Sequence, residues 1–164
     1  MEIFNLLGKK DISRIVNFIE KENIDINIVD DFTYSLLMKS INTGFFDFSN
    51  YLISKGANLN YQNNKGQTIL HLLALNFNSI TLKKALENRA DVRIRDIYGN
   101  EPLWTAVFND KGFGQRIEMI KMLLEYGANP YNTNNANISP KEFSKTAGYN
   151  DIIKILDSVP PTLK

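Results

Sequence analysis

The single histidine of the chain, His71, is the residue best suited to acid–base or metal chemistry. It lies in the segment NNKGQTILHLLA, residues 63–74. A catalytic histidine needs a nucleophile or a carboxylate beside it, and a zinc site needs further nitrogen or sulfur ligands. The chain has no second histidine and no cysteine. We therefore predict no catalytic residue, no metal site, no cofactor and no enzymatic activity.

Two other fragments resemble functional motifs without their context. The segment KGFGQR, residues 111–116, contains Gly-x-Gly but lacks the third glycine and the strand–turn–helix setting of a phosphate-binding loop. Asp30 and Asp31 are too few ligands for a cation cluster, and we interpret them as a turn.

The composition is that of an ordinary globular domain. A chain of 164 residues with 43% hydrophobic residues can bury a core of its own. Its formal net charge is +1 and its basic residues are not clustered, which argues against nucleic-acid and membrane partners. Because the apolar stretch at the N-terminus is too short for a signal peptide, we expect a cytoplasmic protein.

The segment around His71 is one copy of a repeat with a period of about 33 residues. Shifted forward by one period, KGQTILHLLA aligns with YGNEPLWTAV, and shifted back it aligns with FTYSLLMKSI. A second marker follows each copy, at Ala57, Ala90 and Ala128. The last of these intervals is longer by about five residues, which must fall within NDKGFGQR at 109–116. Such a period is typical of a stacked array of supersecondary units.

Each unit predicts two helices. The first begins with a capping hydroxyl or with a proline at its first position; the residues concerned are Ser35, Thr68, Pro102 and the pair Ser139–Pro140. The second has apolar residues at helical spacing, such as Ile117, Ile120 and Leu123, and ends at a glycine such as Gly127. Arg89 replaces that glycine in one unit, so we expect it to adopt the left-handed conformation.

The units resemble ankyrin repeats, whose pattern is roughly D-x-x-G-x-T-P-L-H-x-A-A, then an apolar run, then G-A-D-V-N. The matching residues are Gly66, Thr68, Leu70, His71 and Ala74; Asp96, Gly99, Pro102, Leu103 and Ala106; and Gly-Ala-Asn at 56–58 and 127–129. The resemblance covers about residues 30–157. It implies an all-α solenoid of stacked helix–turn–helix units with short hairpin-like turns. It also implies that His71 is structural and that its ring nitrogens bridge backbone groups.

We predict a single ankyrin-repeat domain over residues 1–164. Its segments are a degenerate N-terminal capping repeat at 1–29, full repeats at 30–62, 63–95 and 96–133, the third with the five-residue insertion, a C-terminal capping repeat at 134–157, and a tail at 158–164.

In ankyrin proteins the turn tips and the exposed edges of the first helices line a concave binding surface. Turn tips are usually polar, so Phe32, Ile97 and Tyr98 are unexpected there, and rigid aromatic residues commonly anchor interfaces. The predicted protein-binding residues are Phe32, Tyr34, Lys65, Leu75, Ile97, Tyr98, Phe108, Asn109 and Phe113. Trp104, which aligns with His71, is expected instead to cover a gap between repeats.

The resemblance implies a non-enzymatic protein-binding module that is monomeric when unbound. Our first hypothesis is that it sequesters or blocks another protein, such as a toxin or enzyme, as a microbial immunity-type inhibitor. The alternative is an ankyrin-repeat effector or scaffold that binds host or regulatory proteins. A groove that binds a small ligand or catalyses a reaction is a third hypothesis.

Overall fold

The computed structural model describes residues 2–159, which form short α-helices and no β-strand. The helices are α1 (Glu2–Leu6), α2 (Ile12–Lys21), α3 (Leu36–Asn42), α4 (Phe46–Ser54), α5 (Ile69–Asn76), α6 (Ser79–Glu87), α7 (Pro102–Asp110), α8 (Ile117–Glu125), α9 (Pro140–Ala147) and α10 (Asn150–Asp157). None of these described helices is long and apolar enough to cross a membrane. Residues 160–164 of the predicted tail lie outside the described residues. The predicted all-α repeat architecture is confirmed.

The first helix of each repeat begins where the sequence predicts. Ser35 and Ser139 each accept the backbone N–H three residues further on, at 3.2 Å, and thereby cap α3 and α9. Thr68 is the cap residue of α5. Helix α7 differs because Pro102 occupies its first turn and the cap residue, Glu101, makes no capping bond with its side chain.

The second helices end in residues with the left-handed conformation. Gly56 and Gly127 follow α4 and α8 with φ angles of 83° and 90°. Arg89 has the same role after α6, with φ at 67°, so its predicted conformation is confirmed. A side chain in this region costs about 1–2 kcal/mol, so the second full repeat carries backbone strain at the position where the third has Gly127.

The helices of successive repeats stack in two layers. The first helices α3, α5, α7 and α9 contact one another in order, and α4, α6 and α8 stack behind them. Leu37, Leu70 and Leu103 hold the same position in three first helices and are at most 1% exposed. Burying each leucine contributes about 1.5–3 kcal/mol. The core is therefore shared between repeats, and each repeat depends on its neighbours.

Candidate protein-binding site

Between consecutive repeats the chain makes a tight turn that we call a finger. Each finger begins with an Asp or Asn whose backbone N–H donates to the C=O four residues on, at 2.9–3.1 Å. The side-chain Oδ1 of the same residue accepts the N–H groups two and four residues on, which fixes the turn locally. The four fingers are residues 30–34, 63–67, 96–100 and 134–138. The third residues of the fingers are Phe32, Lys65, Tyr98 and Ala136.

Neighbouring fingers are hydrogen-bonded to one another. The Ile97 N–H donates to the Lys65 C=O at 3.1 Å, and the Asn135 N–H donates to the Tyr98 C=O at 3.0 Å. A backbone-to-hydroxyl bond of 2.7 Å joins the first finger to the second. These bonds align the fingers along one edge of the stack, where Phe32 is 69% and Tyr98 65% exposed. The predicted finger residues therefore lie on a common edge.

The first finger forms a small cluster of its own. The Lys39 Nζ atom lies 2.9 Å from Asp30 Oδ2 and 5.9 Å from the ring centres of both Phe32 and Tyr34. Partial burial acts to raise the pKa of Asp30, but the hydrogen bonds from Lys39 and from backbone N–H groups outweigh it and hold that pKa below its usual value. The positive charge of Lys39 is thus paired with the Asp30 carboxylate, and the exposed Phe32 ring lies beside this ion pair.

A hollow of about 360 Å³ opens between the second and third fingers and helices α5 and α7. We call the surface formed by the fingers and the first helices the inner face. Four predicted binding residues line the hollow: Leu75, Tyr98, Phe108 and Asn109. Its other lining residues are Gln67, Asp96, Asn100, Trp104 and Thr105. The structure places the other predicted residues, Phe32, Tyr34, Lys65, Ile97 and Phe113, outside this hollow.

One side of the hollow is a stacked aromatic wall. The Trp104 and Phe108 ring centres are 5.1 Å apart, and Phe143 lies 5.4 Å from both. Phe143 in turn makes an edge contact with Tyr149 at 5.8 Å. The Trp104 indole N–H donates to the Ile138 C=O at 3.2 Å. Trp104 therefore bridges two repeats, as expected from the sequence, and also lines the hollow, a role that the sequence interpretation does not give it.

The hollow carries little free charge. Asp96 is its one carboxylate, and the Asp96 Oδ1 atom accepts the N–H groups of Tyr98 and Asn100, both at 2.9 Å. The Asp96 Oδ2 atom accepts the Asn100 side-chain amide at 3.4 Å. This carboxylate stabilises the finger, so the lining presents aromatic rings and amides to an incoming group.

The insertion after α7 is a folded loop organised by a buried acid. Asp110 is 1% exposed, and its two carboxylate oxygens accept the N–H groups of Gly114 at 2.8 Å and Arg116 at 2.6 Å. Phe113, between two glycines, projects from this loop and is 76% exposed. It lies at the end of α7 opposite the finger, so it extends the predicted surface beyond the hollow.

Arg116 ties this loop to the two helices of the hollow. Its guanidinium group donates to the C=O groups of Ala74 at 2.9 Å, Leu75 at 3.2 Å and Asn109 at 2.7 Å. It also lies 5.4 Å from the ring centre of Phe77. The last carbonyl groups of a helix lack intrahelical partners, so one side chain satisfies and holds together the ends of α5 and α7.

His71 has the structural role that the sequence predicts. It is fully buried; its Nδ1 accepts the Thr68 N–H at 3.1 Å, and its Nε2–H donates to the Asn100 C=O at 3.0 Å. Burial lowers its pKa, so the ring is neutral near pH 7. Among residues 2–159 no group of three or more acidic, histidine or cysteine side chains is placed to hold a metal ion.

Two features of the site escape the sequence interpretation. The finger-opening residues recur once in each repeat, and the interval before the last of them is the longer one. This recurrence is visible in the sequence, at Asp30, Asn63, Asp96 and Asn134. The sequence interpretation gives Asp30 only a place in a turn pair. Arg116 provides no such signal, because its carbonyl partners on α5 are 41 and 42 residues away.

Known proteins place the chain in a family. The sequence profile of ankyrin repeats (3 copies) matches residues 7–96 and residues 37–134. An ankyrin repeat protein of Rickettsia bellii is 29% identical over 96% of this chain, and one of Fowlpox virus is 34% identical over 88%. This chain spans 45% and 40% of their respective lengths. The chain belongs to the ankyrin-repeat family, whose repeats are protein-interaction modules.

Proposed function

We propose that this protein binds a partner protein on the inner face, around the hollow, and thereby blocks a surface of that partner. The observation that carries the proposal is the hollow itself, with its aromatic wall beside a row of exposed finger tips. Tyr98 is 65% and Phe108 46% exposed, and both are bordered by amide side chains. Exposed apolar groups with a polar border have the layout of an interface core and rim.

The inner face is preformed, which favours binding. Each finger is fixed by its opening Asp or Asn, and Arg116 holds the ends of two first helices. Ordering flexible loops and side chains on association costs free energy, about 0.5–1.5 kcal/mol per immobilised side chain. A surface that is already ordered retains more of its contact energy as affinity.

The lining argues against an enzymatic groove. Its ionisable groups are Asp96 and Tyr98, and the Asp96 carboxylate is already engaged by the backbone and side chain of its own finger. General acid–base catalysis needs a titratable group within reach of the reacting atoms.

Within this proposal the partner is a toxin or another enzyme, and the protein is an immunity-type inhibitor. A rigid face that covers the partner's surface inhibits by exclusion and needs no catalytic group of its own. The effector or scaffold alternative differs in its consequence, because the partner then stays active in the complex. We also propose that the unbound protein is a cytoplasmic monomer, which sedimentation and fractionation would test.

The test compares aromatic substitutions on and off the inner face. Tyr98→Ala and Phe108→Ala should weaken partner binding by about 1–3 kcal/mol, because they remove rigid anchors. Tyr126→Ala is the matched control, since Tyr126 is 44% exposed and caps the end of a second helix. Partners captured from the producing cells would be quantified for each variant, and their affinities measured by calorimetry.

The proposal fails if binding survives both inner-face substitutions, and loss of binding in Tyr126→Ala would place the site on the second helices instead. For an identified enzyme partner, its activity would then be titrated with the purified protein. Stoichiometric loss of activity supports the inhibitor, whereas full activity in a saturated complex contradicts it and supports the scaffold.

A further inference from the structure

We propose that the hollow receives one uncharged, apolar side chain that protrudes from the partner protein. This inference rests on the proposed function and specifies the chemistry of its central contact. The partner would present a residue such as phenylalanine or leucine on an otherwise polar surface. Acidic peptides and nucleotides would be excluded.

The hollow is large enough for an aromatic or branched aliphatic side chain. Its volume of about 360 Å³ lies within the range for pockets that enclose drug-sized ligands, roughly 300–1,000 Å³. The Trp104 and Phe108 rings provide an apolar side, and Leu75 contributes further apolar surface. An aromatic or branched aliphatic side chain can bury its surface against these groups.

The charge of the lining selects against anions. The one carboxylate, Asp96, accepts its three hydrogen bonds from neutral N–H groups, so its negative charge stays uncompensated. The guanidinium of Arg116 already donates to three carbonyl groups. An anionic side chain that entered the hollow would lose water beside the Asp96 carboxylate without gaining a counter-ion, which is unfavourable.

The walls of the hollow are held in place without a ligand. Trp104 is fixed by its bond to the Ile138 carbonyl and is backed by Phe143. On the other side, Arg116 joins the carbonyl groups of Leu75 and Asn109, two lining residues on different helices. The insertion therefore contributes the side chain that sets the spacing of α5 and α7 at the hollow.

The single tryptophan of the chain, Trp104, makes the test direct, because its fluorescence reports on the hollow. We would titrate the protein with N-acetyl-phenylalaninamide, N-acetyl-leucinamide and N-acetyl-glutamic acid α-amide. The two apolar probes should give saturable changes in the range of about 1 mM, as expected for ligands of this size. The anionic glutamate probe should bind at least about tenfold more weakly.

Substitutions in and around the hollow test where the phenylalanine probe binds. Phe108→Ala should weaken the phenylalanine probe by about tenfold, while Tyr126→Ala leaves it unchanged. Arg116→Gln should weaken it severalfold at temperatures where circular dichroism shows a folded chain, whereas Lys111→Gln, a neighbouring exposed cation, should not. Equal binding of the anionic and apolar probes, or undiminished binding by Phe108→Ala, would overturn the inference.

Failure of this inference is distinguishable from failure of the proposed function. If Tyr98→Ala and Phe108→Ala weaken partner binding but the anionic probe binds as well as the apolar ones, the proposed binding face is supported and the proposed chemistry of its hollow is wrong. If the partner is insensitive to both substitutions, the proposed site fails and this inference fails with it, whatever the probes do.

Discussion

The second and third full repeats carry His71 and Trp104 at the same position of the repeat. Both side chains donate an N–H group to a carbonyl in the following repeat. The His71 acceptor is Asn100, at 3.0 Å, and the Trp104 acceptor is Ile138, at 3.2 Å. Asn100 and Ile138 are also equivalent, because each is the last residue of a finger. Two unlike residues thus make the same bond between repeats.

The His71 and Trp104 rings differ in their other contacts. His71 also accepts the Thr68 N–H at the start of its helix and is completely buried. An indole has no acceptor nitrogen, and the corresponding cap residue, Glu101, makes no capping bond. Trp104 instead stacks on Phe108 and lines the hollow. The third repeat therefore keeps the inter-repeat bond and has an aromatic wall of the hollow in place of a helix cap.

The largest effect is expected from removing the histidine. His71→Ala leaves the buried Thr68 N–H without its acceptor, removes one of the two hydrogen bonds to the Asn100 C=O and opens a cavity, so the free energy of unfolding should fall by about 2–4 kcal/mol. Urea denaturation measures this. Partner affinity, measured well below the melting range, should be nearly unchanged. A large loss of affinity in a folded variant would mean that the two repeats do not divide their roles as described.

Replacing Trp104 with the histidine that the second repeat has at this position should lower partner affinity more than stability. Trp104→His can retain the bond to Ile138 but removes the aromatic wall, so partner affinity should fall by about 1–3 kcal/mol with a smaller loss of stability. Trp104→Phe is the matched variant, because it keeps a ring and removes the N–H donor. It should retain more of the affinity, and calorimetry with parallel thermal melts separates the two roles.

The pH dependence should also distinguish the repeats. Burial lowers the pKa of His71 in the folded state, so the unfolded chain binds the proton more readily. Its contribution is fully present above the unfolded pKa, about 6.5, and is lost as pH falls toward the folded pKa, by up to about 1.4 kcal/mol per pH unit. Burial raises the pKa of Glu101, which opposes this loss at still lower pH.

Chemical denaturation between pH 7 and 5.5 tests this prediction. His71→Gln should flatten the profile, whereas Trp104→Phe should leave its slope unchanged. A wild-type slope retained in His71→Gln would assign the pH dependence to another group.

The smallest effect concerns the ends of the second helices. Arg89 has the left-handed conformation that Gly127 adopts in the third repeat. Arg89→Gly should relieve strain, offset in part by the greater freedom of glycine in the unfolded chain, for a net gain of about 0.5–1 kcal/mol. The reverse change, Gly127→Arg, should destabilise. The denaturation midpoints of both variants should move in opposite directions, and a lower midpoint for Arg89→Gly would contradict the assignment.

The helix boundaries were accessible from sequence because their causes are local. Each of these causes acts within about one turn of backbone. They are a serine that accepts the N–H three residues further on, a proline in the first turn, and a glycine after the last turn. The same holds for Arg89, whose conformation follows from its place in the repeat. The finger-opening residues were equally visible, since their bonds span two and four residues.

The candidate site was only partly accessible. The repeat register gave Leu75, Tyr98, Phe108 and Asn109 as predicted binding residues, and the structure brings these four to one hollow. It could not separate them from Phe113, which lies on a loop outside that hollow. It also gave Trp104 a single role, because a side chain that spans a repeat interface can still leave part of its ring exposed.

The sequence by itself determined the period, the helix pairs, the histidine bridge and the family, because these depend on residue types at fixed short spacings. Only the tertiary structure decided that four of the candidate residues surround a hollow. That outcome depends on the backing of Trp104 by Phe143 and on the bonds from Arg116 to α5. Both contacts join different repeats, and one runs from the irregular insertion. The packing of the helices, rather than the repeat period, fixes how they meet.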